Sequence, residues 1–169
     1  VLNQVEKPTL VACDTMNFWI ESRRSDLLAL LERVDLITLN DGEARQLTEE
    51  TNLVKAARWI MKRGPRHVVI KKGEHGAMFF ADHEMYVLPA YPTARLVDPT
   101  GAGDSFAGGM MGYLAAKNAF DPQSLKEAMA YGIVIASFNV EDFSLDRMRK
   151  IERADVDRRL SEYRKMLSF

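Results

Sequence analysis

Short continuous runs of apolar residues alternate along this chain with longer stretches in which apolar side chains recur every three or four positions. Thr9–Leu10–Val11–Ala12–Cys13 is unbroken by charge and ends at Asp14, the pattern of a strand buried on both faces. Asp35 to Leu39 and His67 to Lys71 repeat it. Between these runs, Ser25 stands where a cap would precede a helix carrying Leu27, Leu28, Leu30 and Leu31. Asn40–Asp41–Gly42–Glu43 opens a second helix. Asn52 caps a third with Val54, Ala57, Trp59, Ile60 and Met61, closed by Gly64–Pro65. Lys72–Gly73–Glu74–His75–Gly76 then turns the chain into Ala77 to Ala81. Met85 to Leu88 follows after Asp82–His83–Glu84, close enough to pair antiparallel.

The remainder is helical in pattern. Ser105 to Ala116 forms one helix, and Asp121–Pro122 starts another with a good cap and proline at its first position. Ser144 and Asp155 are predicted caps of two last helices, charged outside and apolar at Leu145, Met148, Ile151, Leu160, Tyr163 and Leu167. Strand–helix alternation followed by a small antiparallel section predicts an α/β fold. Its form is a three-layer α/β/α sandwich, Rossmann-like, around a mostly parallel sheet.

Composition narrows the function classes. A chain of 169 residues fits a single domain, residues 1–169, with a sizeable core. A net charge of −1 gives no general attraction to nucleic acid or anionic membranes. The single cysteine, Cys13, excludes an internal disulfide framework and suits a reducing cytoplasm. No apolar run approaches the roughly 20 residues that span a bilayer. Position 1 is Val and a strand signal follows almost at once, the pattern of a chain that begins partway through a larger design.

One segment carries chemistry of its own. Leu96–Val97–Asp98–Pro99–Thr100–Gly101–Ala102–Gly103–Asp104–Ser105–Phe106 reads as a strand end, a glycine-rich turn and an aspartate opening a helix. Such a turn aims unpaired backbone N–H groups at one spot where a phosphate or developing anion fits, with the Asp104 carboxylate beside it. The chemistry suggested is phosphoryl transfer to an alcohol. The plainer alternative is a tight strand-to-helix connection, with Asp104 favoured by the helix dipole by roughly 0.3–1 kcal/mol. Gly108, Gly109 and Gly112 are assigned to close packing of this helix on the sheet, with no catalytic role.

Asp98 to Phe106 resembles the C-terminal signature of the ribokinase-like (PfkB) carbohydrate and nucleoside kinases. Asn40–Asp41–Gly42–Glu43 resembles that family's Asn-x-x-Glu motif, and Ile70–Lys71–Lys72–Gly73–Glu74–His75–Gly76 its nucleotide-side strand and turn. The three motifs stand in the family's order. The resemblance extends to the C-terminal half only; the family's N-terminal half, with its sugar-binding residues and β-sheet lid, has no counterpart among these residues.

The resemblance implies roles. Asp104 becomes the base that takes the proton of the substrate hydroxyl, with the amides of Gly101, Ala102, Gly103 and Asp104 as an anion hole. Asn40 and Glu43 face ATP phosphates and a Mg²⁺ held through water, although the same pair spells a capping box. Lys71, Gly73 and Gly76 approach the nucleotide. Lys71 departs there from a commoner small polar residue and reads equally as a solvated edge charge; the glycines read equally as hairpin residues. Tyr131 matches a position beside the adenine, or is core. Asp98, with the backbone near Ser137 and Val140, matches a monovalent-cation site for K⁺, or closes the turn before Pro99. Pro99 replaces the family's usual Thr and removes a donor. Asp14–Thr15–Met16–Asn17 lies at another strand end, where phosphates or substrate could approach.

The expected function is ATP-dependent phosphorylation of a small sugar or nucleoside, with this chain alone inactive. A non-catalytic nucleotide-binding or assembly module is the alternative, its exposed face covered by self-association or by the missing half.

Overall fold

The computed structural model describes residues 2–168. They form two compact units: the residues up to Lys72 together with Met78–Val87, and Gly73–Ala77 together with the residues from Leu88 onward.

The first unit is built on a five-stranded sheet in which β1 (Ala12–Asp14), β2 (Leu36–Asn40), β3 (His67–Lys71), β4 (Ala77–Phe80) and β5 (Met85–Leu88) lie side by side in chain order. β1 pairs with β2 and β2 with β3 in parallel. The connections from β3 to β4 and from β4 to β5 are too short for a crossover, which needs a dozen or so residues, so these strands run antiparallel. Four helices follow the parallel strands: α1 (Asn17–Ser22), α2 (Arg24–Leu31), α3 (Asp41–Thr48) and α4 (Leu53–Met61). Their apolar faces meet one face of the sheet in a core of Leu27, Leu31, Leu47, Ile60, Ile37, Leu39, Val68, Ile70 and Phe80. Alternation along β2 and β3 turns Leu36, Thr38 and Val69 to the other face, where they too are buried.

The sequence pattern placed β3 and β5 correctly and shifted other boundaries. The first strand is three residues, not the five expected from Thr9 to Cys13, and α1 was not anticipated. α2 begins one residue before Ser25, and its N-cap position, Arg23, supplies no side-chain bond. Ser25 therefore sits inside the first turn rather than capping it.

In the second unit α5 (Ala102–Lys117) packs on α6 (Pro122–Asn139), which Asp121 caps as predicted by accepting from Ser124 N at 3.1 Å. A Cβ at Gly109 would lie 2.9 Å from the Ile135 side chain, and one at Gly132 2.7 Å from Phe106 O. The packing glycine of α5 thus serves a helix–helix contact, not the helix–sheet contact expected. Gly108 and Gly112 face open space.

Among the described residues a single long helix, α7 (Arg153–Leu167), stands where two last helices were expected. Ser144 has φ 53°, a left-handed conformation, whereas an N-cap needs the extended region, so it caps nothing. Asp155 is the third residue of α7 and closes a capping box with Glu152, accepting from Glu152 N at 3.1 Å. α7 is fixed by the Tyr163 hydroxyl on Pro89 O and by Arg159, which lies over Phe138 and pairs with Glu141 at 2.7 Å. Among the described residues no helix is long and apolar enough to cross a membrane.

Candidate active site

In parallel sheets the carboxyl ends of the strands are where ligands sit, and in the first unit three polar side chains stand there. β1 ends at Asp14, β2 at Asn40 and β3 at Lys71, with Lys71 the register partner of Asn40. Asn40 leaves β2 in an extended conformation and becomes the N-cap of α3. Its Oδ1 accepts from Glu43 N at 2.8 Å, and Glu43 Oε2 accepts from Asn40 N at 2.7 Å. The capping box is therefore formed, and it leaves one Glu43 oxygen and the Asn40 amide nitrogen without a hydrogen bond to any of the described residues. An oxygen donor with a free lone pair, beside a strand end, suits the outer side of a hydrated Mg²⁺, a hard cation that keeps its waters. Burial pushes the Glu43 carboxyl above its usual range, partly offset by the Asn40 amide and by Lys71.

Asp14 and Lys71 were assigned separately from sequence, and the structure joins them. Lys71 Nζ donates to Asp14 Oδ2 at 2.7 Å, and Asp14 Oδ1 accepts from Thr15 N at 2.7 Å. Thr15 Oγ1 is buried and has no hydrogen-bond partner among the described residues. Cys13 lies next to this group, and burial pushes its thiol up to about 12, which keeps it protonated.

In the second unit the glycine turn has the geometry expected of an open helix start. Gly101 is the N-cap of α5 with φ 79°, in the left-handed region that favours glycine, and it provides no side chain to the first turn. Ala102 N donates to Pro99 O at 3.1 Å and Ser105 N to Gly101 O at 2.9 Å. The amides of Gly101, Gly103 and Asp104 have no backbone acceptor among the described residues. Of the four residues singled out, Ala102 therefore shapes the turn while the others carry unused donors. Asp104, in the first turn, is exposed.

The turn is fastened from behind by a residue no motif pointed to. Asn139, 1% exposed at the end of α6, donates from Nδ2 to Thr100 O and accepts at Oδ1 from the Ser105 hydroxyl, both at 2.8 Å. A buried amide closing a helix against a turn has no signature in sequence spacing. Asp98 Oδ1 accepts from Thr100 N at 2.9 Å, and that hydrogen bond holds the Asp98 carboxyl below its usual range. Val97 N and Asp98 N both donate to Val140 O. These contacts are those of a residue closing the turn.

Gly73 (φ 56°) begins a single 3-10 turn and faces open space, whereas Gly76 (φ 90°) is required, because a Cβ there would lie 2.0 Å from Leu88 O. Tyr131 faces Tyr113, ring centroids 5.3 Å apart, with the Arg153 guanidinium 5.7 Å from its ring. Both tyrosines line a groove of about 430 Å³ along α5 and α6 with Gly108, Gly112 and Lys117.

With this geometry in view, comparison with known proteins is decisive: residues 6–150 match the pfkB family carbohydrate kinase. The chain belongs to the pfkB family. It is 32% identical over 117 residues to a bifunctional ribokinase/ribose-5-phosphate isomerase A from Fructilactobacillus sanfranciscensis, covering 66% of this chain and 21% of that protein. It is 39% identical over 92 residues to a cytidine kinase from Thermococcus kodakarensis, covering 53% of this chain and 33% of that one. In structure it resembles the aminoimidazole riboside kinase of Salmonella enterica, solved with aminoimidazole riboside and an ATP analogue. That match has a TM-score of 0.76 at 22% identity and covers 90% of this chain and 52% of the other. A nucleoside kinase from Methanocaldococcus jannaschii gives a TM-score of 0.75 at 20% identity, with 95% and 50% covered. This pfkB chain therefore spans a third or less of those curated relatives and about half of the solved chains. The likeness establishes the ribokinase-like three-layer α/β/α fold that the strand–helix alternation predicted.

Proposed function

We propose that this chain carries the nucleotide-binding and phosphoryl-transfer residues of an ATP-dependent kinase acting on a hydroxyl of a small sugar or nucleoside. The observation that carries this reading is the start of α5, where the exposed Asp104 carboxylate stands beside the unused amides of Gly103 and Asp104. The names of the relatives, ribokinase and cytidine kinase among them, agree with the acceptor class.

In this mechanism Asp104 accepts the proton of the substrate hydroxyl as its oxygen bonds to the γ-phosphorus of ATP, and the bond to the β–γ bridging oxygen breaks to release ADP. The amides of Gly101, Gly103 and Asp104 point toward the charge on the migrating group, and fixed dipoles of this kind need no rearrangement as charge develops. Mg²⁺, when bound, neutralises phosphate charge. Asn40 and Glu43 are the residues to hold its hydration shell, with Lys71, Gly73, Gly76 and Tyr131 assigned to the nucleotide.

The test is a coupled ADP-release assay over a panel of sugars and nucleosides, on the full-length protein and on its Asp104→Asn variant. Turnover lost with MgATP binding retained supports the assignment. Comparable turnover in the variant rejects it.

A second reading, a non-catalytic nucleotide-binding or assembly module, is favoured by one feature of the first unit. β1 is paired along one edge only, and Met16, Phe18 and Trp19, which follow it, are all exposed. Such a surface suits a second copy or another polypeptide. Nucleotide binding without turnover on any acceptor, with self-association in sedimentation, would favour this reading.

A further inference from the structure

Residues 89–101, which lead into α5, belong to no helix or strand. Backbone without a ladder of its own has to be held by neighbouring groups, and here these come from one short run at the end of α6. Asn139 Nδ2 donates to Thr100 O, Val140 O accepts from Val97 N and Asp98 N, and Glu141 Oε1 accepts from the Thr93 hydroxyl at 3.2 Å. Three consecutive residues thus place the segment that delivers Gly101 to the start of α5.

The end of α6 is in turn set by α7. A cation is favoured at a helix C-terminus, yet α6 has no basic residue in its last turn. Arg159 of α7 stands there instead. Its Nη1 donates to Ser137 Oγ at 3.0 Å, its Nη2 pairs with Glu141 Oε1 at 2.7 Å, and its guanidinium lies 3.5 Å from the centre of the Phe138 ring. Arg147 Nε donates to the other Glu141 oxygen at 3.3 Å, so that carboxylate is gripped on both sides. The Arg159 and Glu141 side chains are only 15% and 10% exposed, and charges so far from water persist only when paired and hydrogen-bonded. A planar guanidinium can serve a hydroxyl, a ring face and a carboxylate at once, which the compact ammonium of lysine cannot.

We infer that Arg159 is a positioning residue for phosphoryl transfer, acting through the end of α6 on the turn that presents Asp104 and the Gly103 amide. The guanidinium fixes Ser137, Phe138 and Glu141. The same run then fixes Thr93, Val97, Asp98 and Thr100, while Asn139 Oδ1 accepts from the Ser105 hydroxyl inside the first turn of α5. Slack anywhere along these contacts reaches the turn, and displacing a reacting group by about 1 Å costs on the order of 10²-fold in rate. The inference rests on the phosphoryl-transfer reading above and adds to it a residue that no motif marks.

The experiment compares the unsubstituted full-length protein with Arg159→Met, Arg159→Lys, the double variant Glu141→Gln/Arg159→Met, and Val156→Ala. The last removes buried apolar packing from α7 while keeping the Arg159 side chain, and so reports the ordinary cost of loosening that helix. Each protein is measured for kcat and for KM with MgATP, using the acceptor that turns over fastest in the panel above. Thermal midpoint is recorded, together with hydrogen exchange at the Ala102 and Ser105 amides, which are bonded within the turn. Arg159→Met is expected to lower kcat about tenfold or more, with KM for MgATP changed less than about twofold and exchange at both amides faster. Arg159→Lys should fall between it and the unsubstituted protein. The double variant no longer strands the Glu141 charge, so it should regain thermal midpoint without regaining kcat, and it decides the matter if Arg159→Met does not fold. Val156→Ala should lose thermal midpoint alone. Unchanged kcat in the folded Arg159 variants, or unchanged exchange at Ala102 and Ser105, would overturn the inference. So would recovery of kcat in the double variant, or an equal loss of kcat in Val156→Ala. Absence of turnover on every acceptor by the unsubstituted protein removes the phosphoryl-transfer reading and the inference with it.

Discussion

The helices α3 and α5 begin in opposite ways. α3 follows β2, whereas α5 follows an irregular segment in which the strand end expected at Leu96–Val97 does not form; both carry an acid in the first turn. At α3 two of the first amides are closed by the chain's own side chains, Asn40 accepting from Glu43 N and Glu43 accepting in return from Asn40 N. At α5 the cap is a left-handed glycine without a side chain, and two first-turn amides are left without an acceptor among the described residues. A helix start with a side-chain capping box needs an anion less; one whose cap has no side chain leaves its first turn more open to negative charge. The same motif class, an acid in the first turn of a helix, therefore means two different things. Asp104 has free amides beside it, whereas Glu43 has used one oxygen structurally and offers only the other.

The largest effect that would break this contrast is expected at Asp104. Removing a positioned general base typically costs about 10²–10⁴-fold in rate, so Asp104→Asn should lower kcat by that order with little change in thermal midpoint, because the side chain is exposed. A smaller but structural loss is expected at Asn139. Asn139→Ala leaves Thr100 O and the Ser105 hydroxyl without their buried partner, a cost of about 1–3 kcal/mol. Denaturant unfolding should report it, and the turn's loosened amides should lower kcat as well. Unchanged turnover in a destabilised Asn139→Ala would show that the anion hole does not depend on this brace. Gly101→Ala comes next. The added Cβ meets nothing closer than Asn139 Oδ1 at 3.7 Å, so the cost is conformational, about 1–2 kcal/mol for φ 79°.

What the sequence made legible follows from how local each feature is. The α6 cap, the α3 box and strand β3 are specified by residues within a few positions of one another, and these were read correctly. The turn residues Gly101 and Gly76 were also found, although Gly76 is needed for a reason 12 residues away, the passage of Leu88 O beneath it. Features resting on distant contacts were not legible. Asn139 acts on residues more than 30 positions back, and Lys71 finds Asp14 across 57 positions. Ser144 misled because a serine before an apolar run predicts a cap only if its backbone is extended, and tertiary structure makes it left-handed here.

The smallest expected change sharpens the comparison most. Glutamine can replace glutamate in a capping box, because its side-chain oxygen still accepts from the N-cap amide. Glu43→Gln should therefore keep α3 intact while removing the charge that would face a cation. Burial raises the Glu43 carboxyl above its ordinary value near 4.5. A carboxyl whose folded-state pKa lies above the unfolded one binds more protons when folded, so stability falls as pH rises through the interval between the two. Glu43→Gln should abolish that slope just above pH 4.5 and leave the protein at neutral pH as stable as before or slightly more so. MgATP binding should weaken in the same variant. Stability and nucleotide affinity falling together would instead make Glu43 a cap and nothing more, and α3 would then differ from α5 in function as well as in form.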